Sequence, residues 1–178
     1  MIPVRFRKTP NTAVVLIPPQ DLWEPIQAIR RVHDTHIERW MPHVTLLFPF
    51  LQAERFSDAE PDLEAGCRGF APFRVKLARF DYFPGPKTAW LEPEPVGLVR
   101  SLQASLQSRF PDCNDVAKFA GGFRPHLSVG QGPPDLIGTL QATWKAIEFQ
   151  VTEVALIKRD GPEDPFRISR TFELTAAP

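Results

Sequence analysis

Cysteine is scarce. The 178 residues hold two, Cys67 and Cys113, too far apart for a Cys-x-x-Cys pair and too few for a disulfide framework, so a reducing, cytoplasmic setting is expected. Charge of one sign is lacking as well. With 21 basic against 21 acidic side chains the net charge is zero, so no global field draws in a long polyanion, and a nucleic acid partner must be short or locally held. The small basic groups, Arg5, Arg7 and Lys8 and then Arg30 and Arg31, read as solvated surface. No membrane-spanning run occurs; the longest early apolar stretch, Ala13 to Ile17, is far short of the ~20 residues needed. Nothing at the N-terminus resembles a signal peptide. Histidine is limited to four residues, and His33-x-x-His36 has no wider ligand cluster around it, so no metal centre is expected. The Gly121-Gly122 pair lacks the Lys-Ser/Thr of a phosphate loop and reads as a turn.

Proline, by contrast, is abundant, and its 20 residues punctuate short elements. Thr12 to Ile17 is a β-branched run closed by Pro18-Pro19, as a central strand ends where the ladder cannot continue. Asp21 and Glu24 stand at capping-box spacing ahead of a helix whose apolar face is Leu22, Ile26, Ile29 and Val32. Ser57 and Glu60 suggest another cap, before a helix with Leu63 and Cys67. Phe73, Val75 and Leu77 alternate with Arg74 and Lys76, predicting a strand with one wet face, and Pro84-Gly85-Pro86 predicts a turn. Thr88 to Leu91 reads as a strand, followed by a helix with Val99, Leu102, Leu106 and Phe110 on one face. A helix through Ile137, Leu140, Trp144 and Ile147 is entered at Pro133-Pro134, and two strands turned at Gly161 to Pro165 close the chain. The pattern is that of an α+β fold with antiparallel sheet, in one domain over 1–178.

One phrase is written twice. Pro42-His43-Val44-Thr45-Leu46 returns as Pro125-His126-Leu127-Ser128-Val129. In a strand alternate side chains share a face, so His43 and Thr45 point one way while Val44 and Leu46 enter a core, and His126 and Ser128 are arranged alike. Each phrase closes a strand, helix, His-strand series, which implies two related lobes facing each other across the motifs. Two imidazoles can supply a general base and a general acid, and the hydroxyls can hold phosphoryl oxygens, so the set suits phosphodiester chemistry without a metal or other cofactor.

These twin His-x-Thr/Ser phrases resemble the signature of the 2H phosphoesterase superfamily, which includes 2′-5′ RNA ligases and 2′,3′-cyclic nucleotide phosphodiesterases. The run Pro42 to Phe50, PHVTLLFPF, is similar to the 2′-5′ RNA ligase branch. The resemblance implies a two-lobed, pseudo-symmetric fold, with antiparallel sheets facing a central cleft and helices on the outer faces. It implies His43, Thr45, His126 and Ser128 as the catalytic set. Its substrate would be a nucleotide or short RNA with a cyclic phosphate or a 2′-5′ linkage, bound by a monomer away from any membrane.

Around that set, Arg124 should share the strand face of His126 and is a candidate phosphate contact, with Met41 at the equivalent place before His43. Many relatives carry a basic residue soon after the second motif, where this chain has Gly130-Gln131. Phe50, Tyr82 and Phe123 are candidates for stacking a base at the cleft rim. The rate should follow a bell-shaped pH profile with limbs between about pH 5 and 8.5, since one imidazole must be neutral and the other protonated. The alternative reading is a binding module that recognises a nucleotide or RNA end in the same cleft without turnover.

Overall fold

Five buried residues in a row, Thr12–Leu16, form a strand covered on both faces, and its two faces feed two different apolar clusters. The computed structural model describes residues 7–178; Arg5 lies outside the described residues. In chain order the elements are β1 (Lys8–Thr9), β2 (Thr12–Leu16), α1 (Trp23–His33), β3 (Val44–Leu47), β4 (Phe50–Leu51), α2 (Phe56–Cys67), β5 (Phe73–Phe83) and β6 (Thr88–Glu94). There follow α3 (Val96–Arg109), β7 (Leu127–Gln131), α4 (Leu136–Thr143), β8 (Ile147–Val151), β9 (Glu153–Lys158) and β10 (Arg167–Glu173).

Two four-stranded antiparallel sheets run β10-β9-β2-β3 and β8-β5-β6-β7, with β1 and β4 paired apart. The sheets match strand for strand, and each ends on the strand that follows a Pro-His phrase. Even the irregularities match. Thr45 pairs with Val15 and Leu47 with Val14, so Leu46 is an extra residue in β3; Ser128 pairs with Trp90 and Gly130 with Ala89, so Val129 is an extra residue in β7. A bulge twists the strand that carries it. Here it does so directly after each motif hydroxyl.

The helices are exchanged between the halves. α1 leaves β2 of the first sheet but packs on β7 of the second, while α3 leaves β6 and touches β3. One apolar cluster consequently spans both sheets, from Val14, Leu16 and Leu46 to Leu77, Leu91 and Leu127. The exchange needs Gly130. Its φ is +150°, and a Cβ built there would lie 2.5 to 2.7 Å from the Cβ and backbone of His33 at the end of α1.

Several local expectations change. Val32 is 74% exposed, because Ile26 and the aliphatic stem of Arg30 cover the buried stripe of α1. Neither Asp21 nor Ser57 caps a helix through its side chain; Glu24 pairs with Arg31, and α2 starts at Phe56. The helix read through Ile147 stops at Thr143. Trp144 turns extended, donates its indole N–H to the Leu77 carbonyl, and frees Ile147, Phe149 and Val151 to alternate inward as β8. Both cysteines are buried free thiols, and among the described residues no helix is long and apolar enough to cross a membrane.

Replacing Gly130 with Ala should destabilise the fold by about 2 kcal/mol or more, through overpacking against α1 and a strained backbone. Urea unfolding monitored by tryptophan fluorescence measures it. A loss below about 0.5 kcal/mol would mean that α1 and β7 are not held as closely as described.

Candidate active site

Alternation along a strand and direct pairing across strands decide which side chains share a face. Thr45, as partner of Val15, stands on the face of the smaller cluster of Ala13, Val15, Ala155, Ile157 and Phe166, against which Trp40, Met41 and Phe48 also pack. In the second sheet Asp81, Trp90 and Ser128 are successive cross-strand neighbours on one face, opposite the core residues Phe80, Leu91 and Leu127. The edge strands β3 and β7 touch, and the two motifs meet there. Burial repeats residue by residue: Pro42 and Pro125 buried, His43 and His126 partly exposed, Val44 and Leu127 buried, Thr45 and Ser128 partly exposed.

Each imidazole is held by its own chain. His43 Nδ1 lies 2.7 Å from the Met41 carbonyl, and His126 Nδ1 lies 2.7 Å from the Arg124 carbonyl. A carbonyl can only accept, so Nδ1–H donates in both rings and Nε2 is the free nitrogen of each. The equivalence of Met41 and Arg124 thus operates through the backbone. Among the described residues neither motif hydroxyl is engaged by another group.

Aromatic rings pack each imidazole, differently in the two halves. Trp40 stacks on His43 at 4.6 Å with Phe166 against the indole at 4.0 Å, and Arg159 lies over Phe166 at 4.5 Å. Phe83 meets His126 edge-on at 4.9 Å, Trp90 lies 5.8 Å away, and the guanidinium of Arg124 sits 4.7 Å over Trp90 while bonded to Asp81 at 2.5 Å. The Arg124 cation is therefore already paired beside His126. Burial pushes the His43 pKa down to about 4, the positive charges of Arg30 and His126 push the same way, and the Met41 carbonyl and Asp34 oppose them. Burial, then the charge of Arg124, also lowers His126, against its bond to the Arg124 carbonyl. Both rings are neutral at pH 7.

The three aromatics expected at the rim are elsewhere. Phe50 is fully buried, edge-on to Phe110, and Phe123 is buried in the same core, since each apolar ring gains more from packing than from exposure. Tyr82 pairs with Ala89 on the core face of β5 and donates its hydroxyl to the Gly132 carbonyl. Its neighbour Phe83 takes the cleft face instead. An extra residue in β5 between Leu77, opposite Pro93, and Phe80, opposite Leu91, sets that parity. Trp40 was missed although it stands three residues before His43, as Phe123 stands before His126. Gln131 accepts from Thr35 N–H and the Thr35 hydroxyl and ties β7 to the loop after α1. No group of three or more metal-ligating side chains gathers among the described residues.

The family model of the 2′-5′ RNA ligase superfamily matches residues 18–163. "Putative phosphoesterase SH1944" of Staphylococcus haemolyticus is 24% identical over 92% of this chain and 99% of its own length. "Putative phosphoesterase GK0864" of Geobacillus kaustophilus is 25% identical over 68% of this chain and 69% of its own. Among solved structures, Escherichia coli LigT complexed with 3′-AMP aligns over 95% of this chain and 99% of its own at a TM-score of 0.64 and 17% identity. TT0787 of Thermus thermophilus aligns over 92% and 97% at 0.62 and 20%. At such identity the likeness establishes the fold.

The lowered imidazole pKa values have a stability consequence. Below about pH 6.5 the unfolded chain takes up protons that the desolvated ring of His43 refuses until about pH 4, so the stabilisation present above 6.5 is lost as pH falls through that window. Between pH 7 and pH 5 the loss for His43 alone should be about 2 kcal/mol. Urea unfolding at both pH values, on the native chain and on His43→Gln, checks it: the mutant should lose less.

Proposed function

Because the chain belongs to the 2′-5′ RNA ligase superfamily, we propose that it is a metal-independent phosphoesterase acting on a 2′,3′-cyclic phosphate or a 2′-5′ phosphodiester of a nucleotide or short RNA. The observation that carries this reading is the pair of imidazoles, each fixed through Nδ1 to the carbonyl two residues before it, on edge strands that meet. One bare Nε2 accepts a proton from the attacking water as its oxygen bonds to phosphorus. The P–O bond to a ribose oxygen breaks, and the other imidazole, protonated at Nε2, delivers its proton to the leaving alkoxide. Run backwards with a ribose hydroxyl in place of water, the same groups join ends. Thr45 and Ser128 donate to the non-bridging oxygens, where charge builds in the transition state.

Both rings are neutral in the free protein, so the acid gains its proton as the anionic phosphate arrives and makes that proton favourable. Arg124, held over Trp90 by Asp81, puts a cation beside His126 and the incoming phosphate. Phe83 is the aromatic placed to wall the cleft on that side. The complexes of E. coli LigT with phosphate, 3′-AMP, ATP and NADP+ support a nucleotide-sized substrate. The arginines on and beside the second sheet are paired, Arg124 with Asp81, Arg79 with Glu92 and Glu94, Arg74 with Glu148, which favours a short ligand over a long polyanion. The reading takes the enzyme as a cytoplasmic monomer of one domain in RNA or nucleotide processing; the core shared by both sheets and the buried free thiols support it.

A product-resolved assay on 2′,3′-cyclic mononucleotides, 2′-5′ dinucleotides and cyclic-phosphate-ended RNA tests it. His43→Ala and His126→Ala should each lower turnover by about 10² to 10⁴, and exhaustive chelation should leave the rate unchanged. Tight nucleotide binding with no turnover of any of these would instead establish a binding module.

The kcat/KM profile should be bell-shaped, but with its maximum on the acid side of pH 7, because both imidazoles lie below the ordinary value of about 6.5. This moves the window from the one expected of unperturbed histidines. A rate that only rises from pH 6 to 9 would exclude the imidazole pair as acid and base.

A further inference from the structure

Arg30 is a charged residue where a helix face should be apolar. Its side chain is 2% exposed, and Asp34, one turn on, is 5% exposed. Each guanidinium nitrogen donates: Nε to Asp34 Oδ2 at 2.7 Å, Nη1 to Gln27 Oε1 at 2.9 Å, and Nη2 to the Trp40 carbonyl at 2.8 Å. Asp34 Oδ1 in turn accepts the His36 N–H at 2.8 Å, and the Trp40 N–H donates to the His36 carbonyl. The pair therefore holds both the start and the end of the loop from α1 to β3. The residue whose carbonyl it grips stacks its ring on His43, and the next carbonyl, that of Met41, takes His43 Nδ1–H.

Stability alone does not explain this arrangement. A buried ion pair is commonly matched or bettered by apolar residues of similar volume, since desolvation offsets most of the attraction. An apolar pair could brace the helix end. It could not donate to the Trp40 carbonyl, nor set the field at His43. The charged groups acting on His43 are Arg30 and Asp34 from its own lobe and His126 from the facing strand, with Arg159 further out over the Trp40 and Phe166 rings.

We infer that Arg30 and Asp34 are positioning residues that act through Trp40 and Met41 to fix the orientation and tautomer of the His43 imidazole. The role in turnover rests on the reading of His43 as an acid–base group; the effect on the ring itself does not. Arg30 supplies two separable things, a forked donor and a charge. Lysine keeps the charge but cannot span Asp34, Gln27 and the Trp40 carbonyl at once, whereas methionine removes both.

The test is imidazole ¹⁵N and ¹³C NMR of the full chain, titrated between pH 3.5 and 8, beside turnover of a 2′,3′-cyclic mononucleotide. The native protein should show His43 protonated at Nδ1 and bare at Nε2 at pH 7. In Arg30→Lys that tautomer should become mixed and kcat should fall about 10-fold or more with KM little changed, while the His43 titration midpoint stays in place. Arg30→Met should raise the midpoint by about 0.5 pH or more, because a repelling charge is gone. Asp34→Asn, which retains an acceptor for Arg30 and serves if Arg30→Met does not fold, should move it down. Variants that only melt at lower temperature, with the tautomer and midpoint of His43 unchanged in the folded protein, would overturn the inference and leave the pair a brace. Spectra that respond as stated in a protein whose native form turns over nothing would uphold the positioning role and sink the catalytic reading.

Discussion

Two edge strands from different sheets, each led in by a Pro-His phrase, touch, and the exchange of helices between the halves brings them together. α1 belongs by sequence to the first half and packs on β7 of the second; α3 returns the contact on β3. The closest point of this exchange is Gly130, whose missing Cβ admits the end of α1. Gln131 then ties β7 to Thr35 in the loop that leads to His43. A close backbone approach at Gly130 and the side-chain bonds of Gln131 thus join the halves beside the motifs. That is suited to a site whose parts must stay aligned to fractions of an ångström.

The two halves share a backbone plan and differ in side chains. Both have the Pro-His phrase, the carbonyl two residues back and the bulge after the hydroxyl. Around His43 the plan is filled by Trp40, Phe166 and an apolar floor, with the buried charges of Arg30 and Asp34 behind; around His126 it is filled by Phe83, Trp90 and the Arg124–Asp81 pair. Burial lowers both rings, His43 to about 4. Two chemically identical groups thus stand in unlike environments.

Much of the plan was legible in the chain. The repeated phrase located both imidazoles and both hydroxyls, and alternation at Phe73, Val75 and Leu77 and helical spacing at Val99, Leu102 and Leu106 located strand and helix correctly. Errors gathered where local pattern has two readings. Ile147 fits a helical stripe through Trp144 as well as it fits the start of an alternating strand, and only the bond from Trp144 to the Leu77 carbonyl decides for the strand. Phe50 and Phe123 carry no mark that separates a core ring from a rim ring. Tyr82 and Phe83 stand on faces opposite to those that alternation from Leu77 gives, because β5 takes up an extra residue before Phe80.

The sequence by itself determined the two matching phrases and the backbone setting of each, because Pro-His-x-hydroxyl-x in a strand orients its own side chains by period two, whatever lies opposite. It also determined, through zero net charge, that no global field draws in a long polyanion. Tertiary structure alone decided which groups surround each imidazole. Arg30, Asp34, Trp40, Asp81 and Phe83 reach the site by helix exchange, strand register and loop closure, all of which depend on contacts between residues far apart in the chain, and no local pattern encodes those.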